Sequence, residues 1–328
     1  MINNTSQTDQ TKIWSFNKTS LIIVVKILIA GGLLYYLINS VEYSEIILAL
    51  SEANLLVIVI VLLLGVLNIF LQYSKWRLTC AEVLEVKDKF KVFRSLFYGF
   101  SAGIITPLRI GEYFGRGIEF RDKSILQVTV ATLIDKFFPL MMVASIGAVS
   151  SLLFIYFYHN VSIYIVLSLF ILIFTFFYVL ILLMLNKRFW NGIIFSRLNS
   201  SARLKPFLDK LKAFESLNRI YFFKMLGISF LFYSCFLIQY ALLVSAFSNN
   251  FDFLQYLWAA NLIMFAKTII PPISFGELGI REGASVYFLT QMGETASVGF
   301  NASIFLFIIN LFIPALVGVG MFLRKNDN

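Results

Sequence analysis

The reading of this chain turns on "PLRIGEYFGR" at 107–116 and "PISFGELGIR" at 272–281. Both follow the pattern P-x-x-x-G-E-x-x-x-R. Pro107, Gly111, Glu112 and Arg116 in the first copy match Pro272, Gly276, Glu277 and Arg281 in the second. One copy falls in each half of a 328-residue chain, and each follows an apolar run that stops at proline. Charged segments placed this way in so apolar a chain need an architecture that shelters them.

The surrounding composition sets that architecture. Hydrophobic residues make up 59% of the chain, and the mean hydropathy is +0.83. Only 14% of residues are charged, against roughly 25% in a typical soluble domain. Several apolar runs exceed the ~18 residues that mark a membrane-crossing helix. The fold class is therefore an all-α integral membrane protein. The runs are continuous rather than alternating, which excludes a membrane β-barrel. Full spans are expected at 21–39, 54–73, 124–156, 161–185, 221–247 and 297–323. The polar residues 1–20 read as a cytoplasmic N-terminal segment without a cleavable signal. Residues 21–323 read as a single transmembrane domain, and 324–328 as a cytoplasmic tail.

Two apolar runs, 92–106 and 254–270, are shorter and end at Pro107 and at Pro271–Pro272. Proline removes a backbone donor and stops a helix. Lys and Arg accumulate on the cytoplasmic side of membrane proteins. Here they crowd 74–94, 121–123, 186–224 and the two termini, and are missing from 40–53, 157–160, 248–253 and 292–296. The first short run lies between two basic segments and the second between two segments without basic residues. Each is thus expected to enter and leave on one side as a re-entrant helical hairpin, with the shared motif at its tip. The expected layout is about six full spans plus two hairpins, N-in and C-in. Repeat 1 covers about 21–156 and repeat 2 about 161–323, in inverted topology, a recurring transporter design. Within 186–220, Leu204, Phe207, Leu208, Leu211, Phe214 and Leu217 share one helical face apart from Lys205, Lys210 and Lys212. That segment reads as a basic amphipathic helix on the inner leaflet.

Ionisable residues at membrane depth are costly and point to function. The candidates for substrate binding and transport are Arg109, Glu112, Arg116, Asp135, Lys136, Lys267, Glu277, Arg281 and Glu282. The Glu112–Arg116 and Glu277–Arg281 pairs, four residues apart, could equally pair within their own helices. The surplus cations Arg109, Lys136 and Lys267 suit an anionic group such as a phosphate. Pro107, Gly111, Pro271, Pro272, Gly276 and Gly279 read as structural residues of the tips. Gly111 and Gly276 are expected to supply the positive φ of a tight turn. No catalytic residue is expected, because the single histidine, His159, sits beside Asn160 in a short outer loop. No His/Cys cluster suggests a metal, no Walker A loop is present, and no cofactor is expected. Cys80, assigned to a basic loop, and Cys235 read as unremarkable thiols.

"KWRL" at 75–78, "TPLRIGEYFGR" at 106–116, "LIDKF" at 133–137 and "PPISFGELGIREG" at 271–283 resemble the lysylphosphatidylglycerol synthase transmembrane-region family, also called the flippase-like domain family. The resemblance spans essentially the whole chain. One departure is Glu277, where that family often has a second glycine. The resemblance implies an inner (plasma) membrane protein that moves lipids between leaflets. Its lipid-handling region would map to Arg109, Glu112, Arg116, Asp135, Lys136, Glu277, Arg281 and Glu282. The chain ends five residues after Leu323, so the aminoacyl-transferase domain of the best-known members is not expected here, nor is enzyme activity.

The leading expectation is a flippase-like protein for an anionic or aminoacylated lipid, of phospholipid or polyprenyl-phosphate type, passing through a polar cavity at the midplane. The alternatives are an ion-coupled small-solute transporter with DedA-like hairpins and a non-transporting membrane subunit of an envelope-lipid enzyme. The partners considered are membrane lipids, a separate lipid-modifying enzyme and a second copy of the chain. Nucleic acid is excluded, because the net charge of +9 gathers beside the membrane segments.

Overall fold

The computed structural model describes residues 47–48, 51–185, 218–270 and 279–326. The expected span at 21–39, residues 186–217 of the amphipathic segment, and Pro271, Pro272, Gly276 and Glu277 lie outside them. Every regular element among the described residues is helical. In chain order these are α1 (Leu55–Val83), α2 (Lys89–Ile105), α3 (Gly111–Gly117), α4 (Ile125–His159) and α5 (Ile163–Leu185). Then come α6 (Arg219–Ser248), α7 (Phe253–Ile269), α8 (Ile280–Gln291), α9 (Ala296–Phe307) and α10 (Ile313–Asn326). A π-helical turn, Ile308–Phe312, joins α9 to α10. Five helices are long and apolar enough to cross a membrane: α1, α4, α5, α6 and the continuous α9–α10. The chain is a multi-pass membrane protein.

The two halves share their punctuation. Asn54 and Asn218 cap α1 and α6, each accepting backbone N–H groups of the first turn. Asp88 and Asp252 precede α2 and α7, which are both 17 residues long. These equivalent positions are equally spaced (218 − 54 and 252 − 88, both 164). Ser124 and Thr295 cap α4 and α9 through their hydroxyls. Such side chains satisfy N–H groups that a helix start leaves without partners.

Packing follows the same exchange. α1 and α6, in equivalent slots, run antiparallel. The Asn54 N–H donates to Ala246 O at 3.0 Å, Gln239 Nε2 to Val61 O at 3.1 Å, and Thr79 Oγ1 meets Tyr221 OH at 2.9 Å. The partner position falls as the number rises. α2 packs on α10, and α7 packs on α4. Both contacts need a glycine. A Cβ at Gly318 would lie 2.2 Å from Phe97 O, and one at Gly147 would lie 2.5 Å from Phe265 Cβ.

α6 forms the centre, with 56% of its most apolar 18-residue stretch buried, against 6% for α5. α5 instead exposes Tyr164, Phe170, Ile171, Leu172, Phe174 and Phe176, the surface a bilayer would cover. The main core gathers α6, α7 and α9 around Tyr240, Leu243, Tyr256, Ile263 and Leu306.

Three expectations need correction. α1 continues ten residues past the expected end at 73, so Lys75 and Cys80 are buried helix residues and not loop residues. The helix can extend because Lys75 finds buried partners on α4. His159 is the exposed last residue of α4, with its ring edge-on to Phe154. Asn160 ends that helix in the left-handed region, at φ 52°. The third correction concerns the first tip. Positive φ falls on Leu108 (56°) and Arg109 (54°), while Gly111 is helical.

Candidate functional site

The motif at 107–116 builds a helical hairpin. α2 ends at Thr106, the chain turns through Pro107–Arg109, and α3 runs back along α2. Gly111 and Gly115 make the return possible. A Cβ at Gly111 would lie 2.2 Å from Ala102 O, and one at Gly115 would lie 2.4 Å from Tyr98 O. Thr106 Oγ1 fastens the turn, accepting from the Gly111 N–H at 2.7 Å and donating to Ala102 O at 3.0 Å. The left-handed backbone at Leu108 and Arg109 costs roughly 1–2 kcal/mol per residue. Such strain persists only where its surroundings over-determine it.

The turn delivers Glu112 to a cluster of cations. Its Oε1 accepts from Arg116 Nη2 at 2.7 Å. Its Oε2 meets Lys136 Nζ at 2.6 Å and Arg109 Nη2 at 3.0 Å. Arg116 reaches onward, with Nη1 donating to Asp135 Oδ2 at 2.9 Å. The guanidinium lies 4.3 Å from the Trp76 ring centre, a cation–π contact. Ser95 Oγ accepts from Trp76 Nε1 and donates to Arg116 O, tying the hairpin to α1. Glu112, Arg116 and Asp135 are all buried. A buried charge is tolerable only when paired and hydrogen-bonded, and Arg116 pairs with both carboxylates.

Lys75 enters through a backbone defect. Pro139 has no N–H, so the Asp135 carbonyl four residues earlier loses its helical donor. Lys75 Nζ fills that place, donating to Asp135 O at 3.2 Å and lying 3.6 Å from Asp135 Oδ1. Sequence reasoning placed Lys75 in a basic loop and in the "KWRL" stretch, and did not assign it to the site. The signal that could have found it is the Asp135–Pro139 spacing, which leaves a buried acceptor open.

Between the hairpin, α1, α4, α6 and α7 lies a cavity of about 250 Å³. Lys75, Arg109, Glu112, Arg116, Asp135, Lys136 and Lys267 line it, with Gln72, Phe232, Tyr233 and Phe236. Lys267 stands in the last turn of α7, opposite the hairpin and 6.0 Å from the Phe236 ring centre. Six of the nine candidate residues from the sequence thus meet in one cavity. It carries five cations and two carboxylates among its described lining. Asp135 and Lys136 are the eleventh and twelfth residues of α4, about 15–17 Å along it at 1.5 Å per residue.

Arg281 and Glu282 do not line that cavity. Among the described residues they form a second network near the start of α8. Arg281 Nη2 meets Glu282 Oε1 at 2.6 Å, and Glu282 Oε2 accepts from the Gly279 N–H at 2.6 Å. Gly279 has φ 94°, the conformation a glycine supplies cheaply. Ser303 Oγ accepts from Arg281 Nε at 3.0 Å and donates to Glu282 Oε1 at 3.1 Å. The position equivalent to Asp135, at the 171-residue spacing of Ser124 and Thr295 (295 − 124), is Leu306. Leu306 is hydrocarbon, and among the described residues Glu282 is the carboxylate that meets Arg281. The equivalent of Lys75 is the neutral Gln239, bonded to Val61 O and to Asn310. Among the described residues, the first half presents its charges to this cavity, and Arg281 and Glu282 of the second half are buried.

The family model described as "Lysylphosphatidylglycerol synthase TM region" matches residues 23–318. No curated protein matches the chain.

Proposed function

This chain belongs to the lysylphosphatidylglycerol synthase TM region family, and on that premise we propose that it moves lipid head groups between the leaflets of a cell's inner (plasma) membrane. The role is transport, with no bond-making step of its own. The observation that carries the reading is the cavity itself. Arg109, Glu112, Arg116, Asp135 and Lys136 gather around it beside Lys75 and Lys267, in a part of the molecule surrounded by apolar helices. Irregular backbone and charge at such depth are sustained only where they are buried in protein or line a wet cavity. An anionic or aminoacylated lipid of phospholipid or polyprenyl-phosphate type would pass its head group through the cavity while its tails stay in the bilayer.

In this reading the hairpins of the two halves are re-entrant and enter from opposite faces, with both termini cytoplasmic. The antiparallel α1–α6 pair and the exchanged α2–α10 and α4–α7 contacts support it. Rocking of one half against the other would alternate access, as in other inverted-repeat transporters. The test is reconstitution in vesicles with a fluorescent phosphatidylglycerol, reading exposure of the dye to an impermeant quencher. Vesicles with the protein should expose inner-leaflet dye, and Glu112→Gln should slow this without loss of folded protein. Unchanged lipid movement in folded Glu112→Gln would sink the reading.

A further inference from the structure

We propose that a groove between α1 and α2 holds one molecule of an anionic phospholipid, with an acyl chain along the groove and the head group on Lys89. The site is separate from the charged cavity. The inference rests on the chain being a membrane protein and not on its moving lipid.

The groove is made by two stripes of side chains. Val66, Ile69, Phe70 and Tyr73 repeat at helical spacing on one face of α1, and Lys89, Phe93 and Phe97 do so on the facing side of α2. The space between them is about 500 Å³. Its floor is aromatic, with the Phe93 ring 4.7 Å from that of Phe97 and 5.8 Å from that of Tyr73. Its wall is open, because Val66 is 67% and Phe70 59% exposed. Lys89 to Phe97 is about 12 Å of helix at 1.5 Å per residue. One leaflet of the hydrocarbon core is about 15 Å deep. The groove thus follows most of the path of an acyl chain in that leaflet.

The mouth of the groove sets the charge of its occupant. Lys89, the first residue of α2, lines it, with Lys87 and Lys91 on either side, and all three are exposed. The acidic neighbour Asp88 is turned to the helix, where its Oδ1 accepts from the Phe90 N–H at 2.9 Å and the Lys91 N–H at 3.2 Å. Tyr73 OH donates to Lys89 O at 3.4 Å, which holds the base of this lysine at the head of the aromatic stripe. A helix of this kind does not require the lysines. At the start of α7, 164 positions on, Asp88 recurs as Asp252, but Phe251, Phe253 and Gln255 replace Lys87, Lys89 and Lys91. Basic groups between helices at a membrane surface attract anionic head groups, and the apolar groove beneath them adds a place for a chain.

The test uses the full chain carrying Phe70→Trp, reconstituted in mixed vesicles of phosphatidylcholine and phosphatidylglycerol, with bromine on the acyl chains of one or the other. Quenching of the added tryptophan, read as the difference from the parent chain, reports which lipid occupies the groove. Phosphatidylglycerol should occupy it about fivefold more strongly than phosphatidylcholine, the weight of one lysine at a membrane surface. Lys89→Gln should bring the two lipids level. Arg121→Gln, which removes an exposed cation between α3 and α4, should leave the preference in place. Quenching by phosphatidylcholine that equals or exceeds that by phosphatidylglycerol overturns the proposal. So does a preference that Lys89→Gln leaves unchanged, or that Arg121→Gln lowers as much. Quenching by neither lipid also overturns it, because another part of the chain or a second copy then fills the groove. The readout involves no lipid movement, so its failure leaves the transport reading standing, and failure of transport leaves this site standing.

Discussion

Glu112 stands between Arg109, Arg116 and Lys136, all within 3.0 Å, so three cations share its one carboxylate. Removing one member of a buried ion network costs about 3–5 kcal/mol, because the others are left without counter-charge. Glu112→Ala should therefore lower thermal stability in detergent far more than the same change at the exposed Glu82. Lys75 offers a sharper test, because its bond to the Asp135 carbonyl exists on account of Pro139. Lys75→Met orphans that buried acceptor at about 1–3 kcal/mol. In a Pro139→Ala background the restored amide can donate to it, so the two changes together should cost less than their sum. A double-mutant cycle reads the coupling, and strict additivity would show that proline does not create the Lys75 site. At this scale the sequence marked Arg109, Glu112, Arg116, Asp135, Lys136 and Lys267 by their rarity in apolar surroundings. It did not mark Lys75, because hydropathy places a lysine near a span's end in the adjoining loop. Nor could it show that Ser303 of α9 bridges Arg281 and Glu282.

The α2–α3 hairpin depends on close backbone approach. Gly115 lies where a Cβ would stand 2.4 Å from Tyr98 O, whereas a Cβ at Gly117 meets nothing within 4 Å. Gly115→Ala should destabilise by roughly 1–3 kcal/mol, as overpacking does. Gly117→Ala should be neutral or stabilising by up to about 1 kcal/mol through helix propensity. Thermal unfolding of the two variants side by side separates packing from propensity, and equal effects would mean that the hairpin does not close as described. Element boundaries were largely legible. The stops at Pro107 and Pro271 and the starts after Asn54, Asp88, Ser124 and Asn218 follow from donor chemistry that the residues themselves declare. The turn conformation was not legible. Leu108 and Arg109 take positive φ although glycine is nearby, because the approach of α3 to α2 reserves Gly111 for a place where no side chain fits.

For the whole molecule, the proposed inverted topology makes a prediction that needs no transport assay. Cys80 and Cys235 are buried, so new surface cysteines can be read against a low background. Asp122→Cys, between α3 and α4, and Gln291→Cys, at the end of α8, both replace exposed residues. They should react with an impermeant thiol reagent from opposite sides of the membrane, and labelling of both from one side would refute the inverted arrangement. The sequence by itself determined that the chain is a helical membrane protein, where most of its helices start and stop, and that a charged motif recurs in each half. Those properties follow from hydropathy, proline and capping chemistry, which act over a few residues. Only the tertiary structure decided which side chains meet the charges of the first motif. Asp135 and Lys75 reach the first motif from helices distant in sequence and open its charges to a cavity. Among the described residues of the second half, Leu306 and Gln239 stand in the equivalent places, and Arg281 meets Glu282. Which carboxylate meets which cation depends on side chains brought together across the fold, and local sequence carries no record of that pairing.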